Sequence, residues 1–209
     1  MHTLYWKPNS GSLAPMALLE ETGLPYETAK VNAAGGEDKS EAYMRDVHPL
    51  GLVPALRLPD GRVMIESAAM AIYLGDLAPA AGLAPAVDDP DRALYLQWLV
   101  YGAATVYPAY IRYYHPNHHR VRDTDDEAVK TLAVAALNQA WRPVEAALAD
   151  GRPWLLGDRC TAADIYVAML ALWHPQRDQF RAACSGLDRL RKAVWARPAC
   201  AKALGIHAK

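Results

Sequence analysis

The sequence predicts an α/β domain over residues 1–77, a linker over 78–90 and an all-helical domain over 91–209. Short segments rich in β-branched and aromatic residues, typical of strands, occur only in the first of these regions. The linker holds three prolines, one glycine and five alanines without a period, which indicates a connection. Beyond it, apolar residues recur at the three- and four-residue spacing of helices.

The first domain is predicted to run in the order β-α-β-α-β-β-α. We expect strands at 3–6, 26–31, 55–58 and 62–65, and helices at 13–22, 38–47 and from Ser67 onward. Gly23 and Pro25 mark the end of the first helix. Asp60-Gly61 is a strong turn signal between the last two strands. This order, with its terminal hairpin, matches a thioredoxin-like sheet.

The second domain is predicted to contain only helices. The residues on one face of its first helix recur at spacings of four and three: Leu96, Val100, Ala103, Tyr107, Tyr110 and Tyr114. A second helix shows the same pattern from Ala133 to Leu148, and Pro143 should kink it. Thr161 and Asp164 form a capping box that opens a third, apolar helix. Two more helices are expected at 187–195 and 198–204.

Val53-Pro54 and Glu66-Ser67 predict a binding site for a small acidic peptide. A cis bond before Pro54, inexpensive only for X-Pro, would turn the N–H and C=O of Val53 toward an extended peptide. Ser67 would place a hydroxyl and helix-start N–H groups where a carboxylate binds. An ordinary strand-to-helix cap is the alternative explanation for Glu66 and Ser67.

This Val-Pro followed by Glu-Ser resembles the glutathione transferase family, whose thioredoxin-like domain carries the same pattern. Leu155-Leu156-Gly157-Asp158 followed by Thr161-x-x-Asp164 resembles a recurring element of that family's helical domain. The resemblance implies glutathione as co-substrate, a small and largely apolar electrophile, and a homodimer. A helix cap explains Thr161 and Asp164 fully, so we assign them no chemistry.

The loop after the first strand should stabilise the thiolate, because a free thiol has a pKa near 8.5. The loop is similar to that of bacterial beta-class enzymes, which have a cysteine immediately before Ser-Leu-Ala-Pro, but Gly11 stands at that position here. Mixed-disulfide chemistry is therefore not expected. Ser10 and Ser12 are the nearby hydroxyls, and gapless counting sets Asn9 against the catalytic serine of theta-like and tau-like enzymes. A backbone N–H is a further candidate, and Ser12 as a helix cap or Ser10 as a turn residue is the simpler alternative.

Three other residues are candidates for ligand contact. Lys39 lies where beta-class relatives use a lysine on the glycine end of glutathione, although a solvated surface lysine is nearly as plausible. Tyr107 and Tyr110 lie either in the core or beside the electrophile. The histidines of the loop from His115 to His119 lack a cysteine or carboxylate at ligand spacing, so no metal is expected.

Composition narrows the class of protein. A net charge of −1 gives no general attraction for nucleic acid or an anionic membrane. No apolar run approaches the roughly 20 residues that span a bilayer, and no signal peptide is visible. The cysteines form no C-x-x-C pair, so we expect a cytoplasmic protein. Two alternatives to a transferase stay open: a peroxidase or disulfide reductase that uses bound glutathione, and a non-catalytic module of the same fold.

Overall fold

A computed structural model describes residues 1–208; Lys209, the last residue of the predicted helical domain, lies outside the described residues. The first domain contains the strands β1 (His2–Trp6), β2 (Tyr26–Lys30), β3 (Ala55–Arg57) and β4 (Val63–Met64). Its helices are α1 (Leu13–Thr22), α2 (Glu41–Asp46) and α3 (Ser67–Leu77). The predicted order of strands and helices is confirmed.

The strands form one four-stranded mixed sheet in the order β2-β1-β3-β4. Strand β1 is central and pairs in parallel with β2, which requires the crossover that α1 supplies. Strand β3 is antiparallel to both of its neighbours, and Leu56 faces Leu4 on one side and Met64 on the other. Leu4 and Leu56 are fully buried, so this part of the sheet anchors the core of the domain.

The regular secondary structure of the second domain is helical within the described residues, apart from an isolated β-bridge between Trp154 and Gly157. Its helices are α4 (Arg92–Tyr101), α5 (Tyr107–Tyr114), α6 (Asp126–Ala140), α7 (Arg142–Ala147), α8 (Ala162–Ala171), α9 (Arg177–Ala183), α10 (Ser185–Ala196) and α11 (Pro198–His207). The fold is thus a small mixed sheet with its helices followed by a mostly helical domain, as predicted. None of its helices within residues 1–208 is both long and apolar enough to cross a bilayer.

The predicted long helix runs through α4 and α5, which are joined by a π-helical turn at Gly102–Val106. Pro108 has no N–H to donate to the carbonyl four residues earlier, which explains the irregular backbone bonding at this point. The predicted apolar face is correct only in part, because Tyr110 is buried whereas Val100 and Tyr114 are exposed. The buried hydrophobic residues of this helix are Tyr95, Trp98, Leu99, Val106, Ala109 and Tyr110.

The second predicted helix is divided at Trp141, between α6 and α7. Pro143, the second residue of α7, lacks an N–H, so the break predicted from this proline is present. The residues predicted on its apolar face are all buried: Ala133, Leu137, Ala140, Val144 and Leu148. Helix α9 was not predicted.

Helix α8 forms the centre of the molecule, since every one of its residues is buried. It packs against α1 and α3 of the first domain and against α4 and α10 of the second. The segment predicted as a linker also contributes to this core: Leu83 is buried and its carbonyl accepts the Ala162 N–H at 2.8 Å. The first and second domains therefore share one continuous packed interior.

Candidate functional site

The peptide bond between Val53 and Pro54 is cis, as predicted. Val53 is half-buried and lies just before β3, which begins at Ala55. Among residues 1–208, no backbone or side-chain group forms a hydrogen bond with the N–H or C=O of Val53. Val53 therefore retains one donor and one acceptor that an extended chain would satisfy.

Helix α3 begins without a side-chain cap. Glu66 occupies the N-cap position with a φ of 72°, a conformation that is costly for a residue with a side chain, and its carboxylate is exposed. Ser67, the first helical residue, is 8% exposed, and its hydroxyl lies 3.1 Å from the Tyr166 hydroxyl of α8. Because no side chain satisfies the first N–H groups of α3, they are available to an anion.

The register of the hairpin brings these two features together. Strands β3 and β4 pair with Leu56 opposite Met64 and Arg57 opposite Val63. Because the two strands are antiparallel, Val53, two residues before β3, and Ser67, three residues after β4, lie at the same end of the hairpin. The free backbone groups of Val53 and the uncapped start of α3 therefore lie at the same end of this hairpin.

The two serines of the loop after β1 are already hydrogen-bonded within the protein. The Ser10 hydroxyl donates to the Lys7 carbonyl at 2.7 Å and lies 2.6 Å from the Ser12 hydroxyl. Ser12 is 0% exposed, and its hydroxyl also lies 3.4 Å from Nε2 of His207 in α11. The structure thus places Ser12 in the interior, where it has no access to a ligand, and leaves Ser10 beside it with its hydrogen already donated.

Asn9 and Gly11 lie on either side of Ser10 and differ in their surroundings. Asn9 is exposed, with a left-handed φ of 51° that asparagine tolerates better than most residues, and its side chain makes no hydrogen bond within residues 1–208. Gly11 is buried beneath Tyr107: a Cβ at this position would lie 2.7 Å from the Tyr107 hydroxyl oxygen. A glycine is needed here because of this close approach.

The two candidate tyrosines of α5 lie in different environments. Tyr107 is half-buried, with its ring edge-to-face against Trp173 at 5.2 Å, and burial raises the pKa of its hydroxyl to about 12. Tyr110 is 1% exposed and its hydroxyl accepts a hydrogen bond from Nε1 of Trp141 at 3.1 Å. Tyr110 is therefore a core residue, and its assignment as a substrate contact is corrected.

Lys39 is exposed and extends along the segment that leads to Val53. Its ammonium donates to the carbonyls of Leu50 and Gly51, at 3.1 Å and 2.7 Å. These bonds hold a positive charge near the free backbone groups of Val53 and leave one N–H of the ammonium group without a partner in these two bonds.

Three residues that contact the candidate site were not predicted from the sequence: Tyr166, Trp173 and His207. Each lies in or next to an apolar helix and carries no motif, so only the packing of the second domain against the first brings it to the loop or to α3. Within residues 1–208, no group of three histidine, cysteine or acidic side chains could hold a metal ion. A groove of about 540 Å³ beside Trp141 and Phe180 contains none of the candidate residues.

Comparison with known proteins agrees with this architecture. The sequence model of the glutathione S-transferase N-terminal domain matches residues 12–77, and that of the C-terminal domain matches residues 98–198. Glutathione S-transferase GstA of Escherichia coli O157:H7 is 31% identical over 170 residues, which are 81% of each chain.

Solved structures show the same similarity over the whole length. A glutathione transferase from Methylococcus capsulatus has a TM-score of 0.87 at 30% identity and covers 100% of this chain and 99% of its own. A glutathione transferase homologue from Sulfitobacter, with bound glutathione, has a TM-score of 0.86 at 28% identity over 97% of this chain and 96% of its own. Both domains, in this order and with this fold, place the chain in the glutathione transferase family.

Proposed function

We propose that this protein binds glutathione at the edge formed by Val53 and the start of α3 and transfers the glutathione thiolate to small electrophiles. The observation that carries the proposal is the combination of an unpaired backbone donor and acceptor at Val53 with uncapped N–H groups at Ser67. Such an arrangement suits a short, extended peptide with a carboxylate at one end. The glutathione seen in the Sulfitobacter homologue supports the same ligand.

Each part of glutathione has a complementary group along this edge. The backbone of its cysteinyl residue would pair with Val53, next to Pro54. The γ-glutamyl α-carboxylate would accept hydrogen bonds from the Ser67 hydroxyl and the first amides of α3. The exposed Glu66 carboxylate would hold the α-ammonium group, and Lys39 would hold the glycine carboxylate.

In the proposed reaction, the protein favours the thiolate and orients it toward the electrophile. The thiol proton passes to water, and sulfur forms a bond to an electrophilic carbon. A leaving group such as a halide then departs with the electron pair of its bond. The sulfur would lie at the start of α1, where the helix dipole favours negative charge and where Asn9, Ser10 and the loop amides are the donors proposed so far.

A glutathione-dependent peroxidase or disulfide reductase is the second candidate function. Position 11 has no thiol, and Cys160, Cys184 and Cys200 all lie in the second domain, so bound glutathione would carry the redox step. We also propose a homodimer with a cytoplasmic location. Exposed apolar side chains on α3 and α4 support an interface there: Leu77 at 45%, Leu94 at 47% and Val100 at 56% exposure.

Calorimetric titration with glutathione, followed by assays with an aromatic halide and with a hydroperoxide, tests the proposal. We expect saturable binding and conjugation of the halide. Turnover of the hydroperoxide alone would favour the second candidate, and binding without turnover would indicate a non-catalytic module. Absence of binding would refute the proposed function.

A further inference from the structure

Gly11 and Tyr107 fit each other closely, although they come from different domains. A Cβ on Gly11 would lie 2.7 Å from the Tyr107 hydroxyl oxygen, 3.3 Å from Cε2 and 3.4 Å from Cζ. The tyrosine hydroxyl therefore occupies the space into which any side chain at position 11 would project. This space lies at the start of α1, between β1 and the helix.

The Tyr107 hydroxyl has a hydrogen to donate. The hydroxyl oxygen lies beside the Gly11 amide, and the hydroxyl donates no hydrogen bond to another group among residues 1–208. A pKa raised to about 12 by burial keeps the group protonated at neutral pH. The hydroxyls of Tyr110 and Tyr166, in contrast, have side-chain partners.

The position of Tyr107 also relates it to the proposed glutathione site. The π-helical turn Gly102–Val106, which leads directly into Tyr107, packs against α3, and the charge of Glu66 at the start of α3 contributes to the raised pKa of Tyr107. Tyr107 thus lies between the start of α1 and the start of α3. A peptide held by Val53 and Ser67 would direct its middle side chain toward this gap.

The backbone before Tyr107 determines where its ring points. The π-helical turn Gly102–Val106 inserts a residue relative to a regular helix, and one residue corresponds to a rotation of about 100°. Without it, residue 107 would face a different direction. Edge-to-face packing against Trp173 then fixes the ring over Gly11.

We propose that Tyr107 is a catalytic residue whose hydroxyl donates a hydrogen bond to the glutathione thiolate above Gly11. The inference rests on the proposed function, since it requires glutathione to bind at Val53 and Ser67. It assigns the role of sulfur donor to the helical domain in place of the loop hydroxyls, because Ser10 and Ser12 already bond each other and the Lys7 carbonyl.

The pKa of the bound thiol, followed through the ultraviolet absorbance of the thiolate across a pH titration, tests this role without requiring turnover. We expect Tyr107→Phe to raise the thiol pKa by about one unit, the shift corresponding to one hydrogen bond to a charged group. Glutathione affinity measured by calorimetry below that pKa should remain within about twofold. Tyr101→Phe is the matched control, because the Tyr101 hydroxyl donates to the Ala140 carbonyl at 2.7 Å within the second domain.

Gly11→Ala provides a second, independent variant. Its methyl group would displace the Tyr107 hydroxyl and should raise the thiol pKa as Tyr107→Phe does, whereas adding it to Tyr107→Phe should cause little further change. An unchanged thiol pKa in Tyr107→Phe with normal glutathione binding would overturn this inference alone. A wild-type protein that does not bind glutathione would overturn the proposed function as well.

Discussion

Helices α8 and α3 begin in opposite ways. At the start of α8, the Asp164 carboxylate accepts hydrogen bonds from the N–H of Leu155, the N–H of Thr161 and the Thr161 hydroxyl, at 2.8, 2.8 and 2.9 Å. Thr161 and Asp164 are both fully buried. Every polar group of this cluster is used inside the protein, so its role is structural.

The start of α3 instead leaves its polar groups unsatisfied. Glu66 is exposed in a costly positive-φ conformation, no side chain caps the helix, and Val53 beside it has no backbone partner among the described residues. Strained residues of this kind persist only where the surrounding structure holds them, and they cluster at binding and active sites. The closed start of α8 therefore stabilises the fold, whereas the start of α3, next to a strained Glu66 and an unpaired Val53, leaves the groups that the proposed binding of glutathione would use.

The largest expected effect is a loss of stability from a substitution at the closed start of α8. Asp164→Ala leaves the donors of Leu155 and Thr161 buried without an acceptor, each at a cost of about 1–3 kcal/mol. We expect the free energy of unfolding, measured with urea, to fall by about 3–5 kcal/mol. The exposed Asp158 is the control, and Asp158→Ala should change it by less than about 0.5 kcal/mol. A loss below about 1 kcal/mol for Asp164→Ala would show that the cluster is not a structural cap.

The loop before α1 contacts the buried His207 of α11, whose Nδ1 has no hydrogen-bond partner among residues 1–208, and the contribution of His207 to stability should depend on pH. Burial lowers the pKa of His207 to about 4 from an ordinary 6.5. The unfolded chain therefore binds a proton at a higher pH than the folded one, so this contribution is complete above about pH 6.5 and is lost as the pH falls toward 4. The loss amounts to at most about 3 kcal/mol.

Urea titrations of the wild type and of His207→Asn at several pH values isolate this contribution. We expect the stability of the variant to fall less steeply between pH 6.5 and 4 than that of the wild type. Parallel curves would mean that His207 is not held neutral in the folded protein.

On the open side, Ser67→Ala should affect binding more than folding. A hydrogen bond from the Ser67 hydroxyl to a carboxylate is worth about 1.5–3 kcal/mol, so glutathione affinity measured by calorimetry should weaken about tenfold or more. Tyr166→Phe is the control, because it removes the protein partner of Ser67 but leaves the serine hydroxyl in place. Equal affinity for the wild type and Ser67→Ala would remove Ser67 from the site.

The smallest effect is expected at Glu66, where one substitution should increase the stability of the fold and weaken glutathione binding. Glycine adopts a positive φ without strain, so Glu66→Gly should raise the free energy of unfolding by about 0.5–1 kcal/mol. The same change removes the carboxylate proposed to hold the α-ammonium group and should weaken glutathione binding. A variant that is less stable and binds equally well would contradict the interpretation of Glu66 as a strained functional residue.

Local patterns predicted the fold well because each depends on neighbouring residues. The Asp60-Gly61 turn, the Thr161 capping box and the cis bond at Pro54 are all present in the structure. Periodicity identified the helix that carries Tyr107 and Tyr110 but not all of its buried face, because Leu99 and not Val100 points into the core.

Local sequence patterns could not predict contacts between residues that are far apart in the chain. Ser12 is buried, and its hydroxyl contacts His207, which is 195 residues away in the chain. Likewise, nothing near Gly11 in the sequence indicates that a tyrosine from α5 covers it. Sequence reasoning located the loop that should face the sulfur, and the packing of the helical domain determined which of its groups remain accessible.

A crystal structure of the complex with glutathione tests the central claim most directly. We expect the cysteinyl backbone to pair with the N–H and C=O of Val53 and the γ-glutamyl carboxylate to lie on Ser67 at the start of α3. The sulfur should lie within hydrogen-bond distance of the Tyr107 hydroxyl, above Gly11. Glutathione bound elsewhere, with Val53 still unpaired and the start of α3 empty, would contradict the account.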